Sequence, residues 1–318
     1  MRTARLLRRV SRGIVLLLPL VAACTAAGQA SRNPPPEARR IGVMTGFETP
    51  ESVRYDPGAD ILFVSNIAGN PSGRDNNGFI SRASGDGRML AMRFIQGGRD
   101  GVMLNAPKGM AVTGDTLWVA DIDAVRAFHR RTGAPLASIA VPGATFLNDV
   151  AVGADGALYV TDTGIVIDGA GRMAHPGRDQ IFRVTGGTAT AVAGGDAFAL
   201  PNGIAADGDG FLLAPNGSRA VQRWRAGEGA PRDGASGPGG YDGIEVVGGG
   251  RALVTSWADS TVSLVDGGSV RPVIRGLNSP ADLGVDPRRG WVAVPLFLEN
   301  RVEIWALPPA DGGRPARR

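Results

Sequence analysis

The feature that most restricts what this chain can become is a phrase it uses six times. LPNGIAADGDG begins at Leu200. Five other stretches share its shape: PESVRYDPGADILFVSN from Pro50, PKGMAVTGDTLWVAD from Pro107, LNDVAVGADGALYVTD from Leu147, YDGIEVVGGGRALVTSW from Tyr241 and PADLGVDPRRGWVAVPL from Pro280. Each runs from one marked position into alternating apolar residues, a Gly/Asp turn and a second apolar run. The marked position is held by Glu51, Lys108, Asn148, Asn202, Asp242 and Ala281. These recur about every 46 residues, and self-similar units of ~40–50 residues holding several strands each are the blades of a β-propeller.

Four strands can be read in each unit. In the second they are KGMAVT, TLWVAD, AVRAFH and PLASIAV, and third strands recur as QIFRV, VQRW, TVSLV and RVEIW. The turn GADG between Val152 and Ala157 has the Asp-Gly chemistry that hairpins use. The 48 Gly and 22 Pro, without a collagen period, fit many tight turns. After residue 40 no stretch carries a helical period. The last unit ends after RVEIWALPP, one strand short, and ARRIGVM ahead of the first unit can supply it. Pairing the two chain ends leaves no exposed edge in the ring. The expectation is an all-β, six-bladed propeller over residues 39–308, closed by an N-terminal strand joining the last blade. A monomer is expected, with a loose tail over 309–318.

The first residues read as an export signal. MRTARLLRRVSRG is basic, and IVLLLPLVAA is apolar but too short to span a bilayer. The only cysteine, Cys24, follows in VAAC, which resembles a bacterial lipobox. Residues 1–23 are then a lipoprotein-type signal peptide, Cys24 carries the lipid, and 24–38 form a flexible tether. Cleavage near Ala30 is the alternative. Either route exports the protein, to the periplasm or outer envelope, with membrane contact only through the N-terminal lipid. Removing residues 1–23 takes Lys+Arg from 34 to 29 against 30 Asp+Glu. The net charge of about −1 excludes a basic nucleic-acid footprint.

In a propeller the innermost strands line a central channel, so the six marked residues should ring one mouth. Asn202 then points into the channel, and Gly203 lets the backbone crowd the axis. Glu51, Asn148, Asn202 and Asp242 all offer oxygen from separate strands. That is the donor set a hard cation such as Ca²⁺ takes, and Zn²⁺ or Mn²⁺ can also use it. Lys108, the only lysine in the chain, adds a cation to the ring. Asp121 and Asp162, which recur as Asn66 and Asn216, are expected to make structural hydrogen bonds between blades. The five tryptophans are expected in packing. An insertion, IVIDGAGRMAHPGRD over 165–179, carries His175 and is a candidate binding loop.

At these residues the chain resembles the gluconolactonase/regucalcin-like (senescence marker protein) family of six-bladed propellers. PESVRYD is similar to the family's Glu-x-Pro-x-Trp-Asp opening, although Val53 and Tyr55 replace its Pro and Trp. LNDVAV is similar to its Asn-Asp motif, PNGIA to its Asn-Gly motif and YDGIEV to its Asp-Gly motif. The resemblance implies Glu51, Asn202 and Asp242 as metal ligands, with Asn148 on the metal or substrate side.

Two functions follow. The first is metal-dependent hydrolysis of a small-molecule lactone or related ester, with one divalent ion. Asp242 or Asp149 would take a proton, Lys108 would steady the developing oxyanion, and Asn148, Lys108 and His175 would contact substrate. The second is a non-catalytic ligand- or protein-binding propeller at the cell envelope, since LNAPKGMAV…LWVAD also resembles NHL-type repeats. With only two histidines, neither in a nucleophile motif, a serine-hydrolase triad is not expected.

Overall fold

The computed structural model describes residues 37–308, and within them every regular element of more than one turn is a strand. The signal segment 1–23, Cys24, the tether up to residue 36 and the tail 309–318 lie outside the described residues. Blade 1 comprises Pro50–Asp56, Ile61–Asn66, Phe79–Ser84 and Met89–Gln96, hydrogen-bonded in that order. Blades 2 to 5 repeat this meander from innermost strands Pro107–Thr113, Leu147–Val152, Pro201–Asp207 and Tyr241–Gly248. Blade 6 begins with Gly284–Asp286 and ends with Arg301–Ala306, whose outer partner is Arg39–Thr45 from the start of the chain. Blades 4 and 5 also touch through one parallel bridge, Ser236 to Ser269.

The innermost strands contact one another in sequence around the axis, and the last contacts the first. At that junction Val53 N donates to Asp282 O at 3.0 Å, and Asp282 N donates to Glu51 O at 2.9 Å. Alternation along each strand sends apolar side chains to both faces, so a blade buries one face against each neighbour. The result is six apolar clusters, one at each blade–blade junction. Between blades 3 and 4, Tyr159 packs on Phe211 with ring centroids 4.5 Å apart, and Trp224 closes the same cluster. Each such side chain contributes about 1.5–3 kcal/mol on burial, and this repeated packing is what holds the ring.

One irregularity recurs and positions the site. In blades 1 to 5 the pairing of the two innermost strands slips at the marked residue: between Pro50 and Val53, Pro107 and Met110, Leu147 and Val150, Pro201 and Gly203, and Tyr241 and Ile244. A bulge there turns the side chain out of the pleat and toward the axis. It also frees an amide from the ladder. Hydroxyls from the second strand take up that amide in alternate blades: Ser52 N to Ser65 Oγ at 2.9 Å, Asp149 N to Thr161 Oγ1 at 3.0 Å and Gly243 N to Thr255 Oγ1 at 2.8 Å.

Candidate functional site

The bulges bring five of the six marked residues into one cavity of about 220 Å³ at one mouth of the channel: Glu51, Lys108, Asn148, Asn202 and Asp242. Ala281 is buried beside them but does not line it. A Cβ on Gly203 would stand 2.5 Å from Asp242 O, so the close approach at the axis requires glycine there.

All five side chains are buried, and their hydrogen bonding is incomplete. Glu51 Oε2, Asn148 Oδ1 and Asp242 Oδ1 have no partner. Asn148 Nδ2 donates to Thr163 Oγ1 at 3.0 Å, which leaves its Oδ1 free. Buried polar atoms without partners cost about 1–3 kcal/mol each, and three in one cavity call for a ligand that satisfies them together. Among the described residues no group of three or more His, Cys, Asp and Glu is arranged to hold a metal. The set that fits is two carboxylates and two amide side chains. With oxygen donors only, it suits Ca²⁺ better than Zn²⁺, which takes nitrogen and sulfur readily.

The electrostatics agree. Burial raises the Glu51 carboxyl well above its ordinary value, and the charges of Asp242 and Asp282 push it further. Burial lifts Asp242 to about 7. Lys108 is 1% exposed, and burial lowers its ammonium to about 8. Its Nζ donates to Pro71 O and Ala106 O, both at 3.1 Å, and lies 4.1 Å from the centre of the Phe146 ring. Two of its three hydrogens are therefore engaged and one is available.

Two of the candidate residues lie outside this cavity. Asp149 does not line the cavity. Its Oδ1 accepts from Val150 N at 2.7 Å and its Oδ2 from Ile204 N at 2.8 Å, so it ties blade 3 to blade 4. It also fills the space beside Gly109, where a Cβ would stand 2.1 Å from Asp149 Oδ1. Asp282 occupies the matching place three blades on, accepting from Ser52 Oγ at 2.5 Å. Alternation explains this: the residue after the bulge faces the adjoining blade. His175 also lies outside the cavity. Its ring is 42% exposed, with Nε2 2.9 Å from Asp179 Oδ1. The insertion does reach the site, through Ile165, Ile167 and Met173.

Asp121 and Asp162 brace the loop entering their own blade rather than the next one: Asp121 accepts from Ala106 N, and Asp162 from Phe146 N. Only Asn216 crosses to the next blade, donating to Tyr241 O at 3.2 Å. The sequence reading missed an outer ring. Ile67, Thr163, Asn216, Trp257 and Phe297 each follow the second strand of a blade, or close it, and all line the cavity. Their shared repeat phase was the available signal. Trp257, expected in packing, is 37% exposed and faces Phe297 across 5.6 Å. At the channel's other mouth an ion pair, Arg54 with Glu245, lines a second cavity of about 520 Å³.

No family model matches the chain, and no curated protein matches it in sequence. Solved structures do match in fold. A gluconolactonase from Xanthomonas campestris is 18% identical, with a TM-score of 0.60 over 87% of this chain and 96% of that one. A structure assigned as a gluconolactonase is 21% identical, with a TM-score of 0.60 over 85% and 92%. An inactive His-to-Ala form of virginiamycin B lyase from Staphylococcus aureus, with quinupristin, is 11% identical, with a TM-score of 0.58 over 85% and 99%. The fold is that of a gluconolactonase-like β-propeller.

Proposed function

We propose that this propeller hydrolyses a lactone or related ester at the cavity formed by Glu51, Lys108, Asn148, Asn202 and Asp242, with one bound divalent cation, Ca²⁺. The observation that carries the reading is the set of three buried, unpartnered oxygens on three different blades, Glu51 Oε2, Asn148 Oδ1 and Asp242 Oδ1. Glu51, Asn148, Asn202 and Asp242 would hold the ion. A hard cation held there would polarise an ester carbonyl and make a nearby water more acidic.

The chain's own groups do the rest. Asp242, buried on the cavity floor, would hold the ion through one carboxylate oxygen and accept a proton from the attacking water with the other. The water oxygen bonds to the carbonyl carbon, the carbon–ring-oxygen bond breaks, and the proton passes to the leaving oxygen. A hydroxy acid results. The remaining Lys108 hydrogen donates to the carbonyl oxygen as it gains charge. Lys108 would repel the cation, and Phe146 and two carbonyl oxygens hold its ammonium in place beside the site. A histidine-dependent lyase reaction is a poorer fit, since neither His129 nor His175 lines the cavity.

Elemental analysis of the purified protein, followed by pH-stat assays on a lactone panel with and without chelator, tests the reading. Stoichiometric calcium and chelator-sensitive hydrolysis are expected. An Asp242→Ala variant with full calcium and full turnover would overturn it. Bound calcium with no turnover of any lactone or ester would leave a binding propeller in its place.

A further inference from the structure

The floor of the cavity is polar, but its walls are not. Ile165, Ile167 and Met173 from the insertion meet Leu200, Phe297 and Trp257 around the opening. Two of the few polar wall groups are already engaged. Thr163 Oγ1 accepts from Asn148 Nδ2 and donates to Pro201 O at 2.9 Å, and Asn216 Nδ2 donates to Tyr241 O. Two of the three Lys108 hydrogens are already engaged, so the donors facing a ligand are few and lie mostly on the floor with Lys108 and Asn202.

The apolar wall is also built with care. The insertion is pinned to the loop at 70–72: Ile167 N donates to Ser72 Oγ at 2.9 Å, and Asn70 Nδ2 to Asp168 O at 2.8 Å. The same loop accepts from Lys108 through Pro71 O, so wall and floor share one support. Leu200 reaches the cavity from a left-handed backbone, φ 60°, a conformation that costs a non-glycine residue about 1–2 kcal/mol. Its N–H is held by Asp179 Oδ2 at 2.7 Å. The chain accepts local strain to place a leucine there.

We infer that the ligand of this cavity is an aliphatic lactone, a small cyclic ester with an alkyl substituent, rather than a polyhydroxylated sugar lactone. The inference rests on the proposed hydrolase reading for its ester carbonyl and on the walls for its chain. The carbonyl oxygen would face Lys108 and the cation that the floor oxygens would hold, and the alkyl group would lie against Ile167, Leu200 and Phe297. Sugar hydroxyls in the same place would lose water and find no partners, at about 1–3 kcal/mol each. At about 220 Å³ the cavity is below the ~300–1,000 Å³ of drug-sized pockets, so the ring and chain must both be small.

The test compares γ-nonalactone with glucono-1,5-lactone on the calcium-loaded protein. Hydrolysis is followed by pH-stat, and binding separately by the change in Trp257 fluorescence, with Trp257→Phe as control. The expected result is kcat/KM at least tenfold higher for γ-nonalactone. Ile167→Asn and Leu200→Asn, the latter tolerant of the left-handed backbone, should lose about tenfold, mainly in KM, while Ile167→Val stays near wild type. If γ-nonalactone binds but is not cleaved, the ligand class stands and the hydrolase reading falls. If glucono-1,5-lactone is bound and cleaved better, the hydrolase reading stands and the ligand class falls. If neither lactone binds or turns over, both are overturned.

Discussion

Asn148 and Thr163 are joined by one hydrogen bond of 3.0 Å, and its direction determines what Asn148 presents to the cavity. The amide nitrogen is spent on Thr163, so the carbonyl oxygen is left buried and unpartnered. Thr163→Val removes the anchor at almost constant volume. Supporting hydrogen bonds of this kind typically change metal affinity by ~10–100-fold. Calorimetric titration of Thr163→Val with Ca²⁺ should show about tenfold weaker binding with an unchanged circular dichroism spectrum.

Lys108 and the cation compete for the same negative surroundings. Lys108→Met keeps the length of the side chain and removes its charge. Calcium affinity should rise, because Glu51 is no longer partly neutralised by a neighbouring ammonium. Turnover should fall by roughly 10²-fold, as for loss of an oxyanion donor. Weaker calcium binding in this variant would mean that Lys108 supports the ligand set rather than the reaction.

The cation-free protein should be less stable at neutral pH than in mild acid. Asp242, Asp282 and Glu51 all hold their protons more tightly folded than unfolded, chiefly because of burial. Where the folded state binds more protons, stability falls as pH rises. For Asp242 that window runs from the ordinary 3.8 to about 7. Unfolding free energies from urea titrations in chelator at pH 5 and pH 8 should differ by a few kcal/mol, because each tenfold change in a carboxyl's proton affinity is worth ~1.4 kcal/mol. Added calcium should reduce the difference by binding the ionised carboxylates.

Asp149 should act on stability and not on cation binding. Asp149→Ala strips partners from Val150 N and Ile204 N, and removes a charge that faces Arg54. A loss of about 3 kcal/mol or more is expected from these buried groups. Calcium stoichiometry, measured on the folded fraction, should stay the same. Turnover abolished in a fully stable Asp149→Asn protein would return this residue to the reaction.

Gly109→Ala probes the other side of Asp149, where blade 2 meets blade 3. The new methyl would stand 2.1 Å from Asp149 Oδ1 and 2.6 Å from its Cα, and backbone cannot yield cheaply. Thermal unfolding should report a loss of about 1–3 kcal/mol, as for overpacking elsewhere.

The sequence by itself determined the blades, their order and the phase of the marked residues. Those properties are local: alternation sets the strand faces, Gly and Asp set the turns, and the repeat copies both. It also placed Glu51, Asn148, Asn202 and Asp242 in equivalent positions, and the structure brings them together with Lys108. What tertiary structure alone decided is the direction of each side chain and what surrounds it. Asn148 and Asp149 are neighbours in a motif, yet a bulge sends one to the cavity and the other to the next blade. His175 sits in the insertion that walls the site but turns away to Asp179. The apolar wall joins Ile67, Ile167, Trp257 and Phe297, which come from four different parts of the chain. A period can announce that strands converge, but the chemistry of the space between them depends on contacts made across hundreds of residues, and these exist only once the ring has closed.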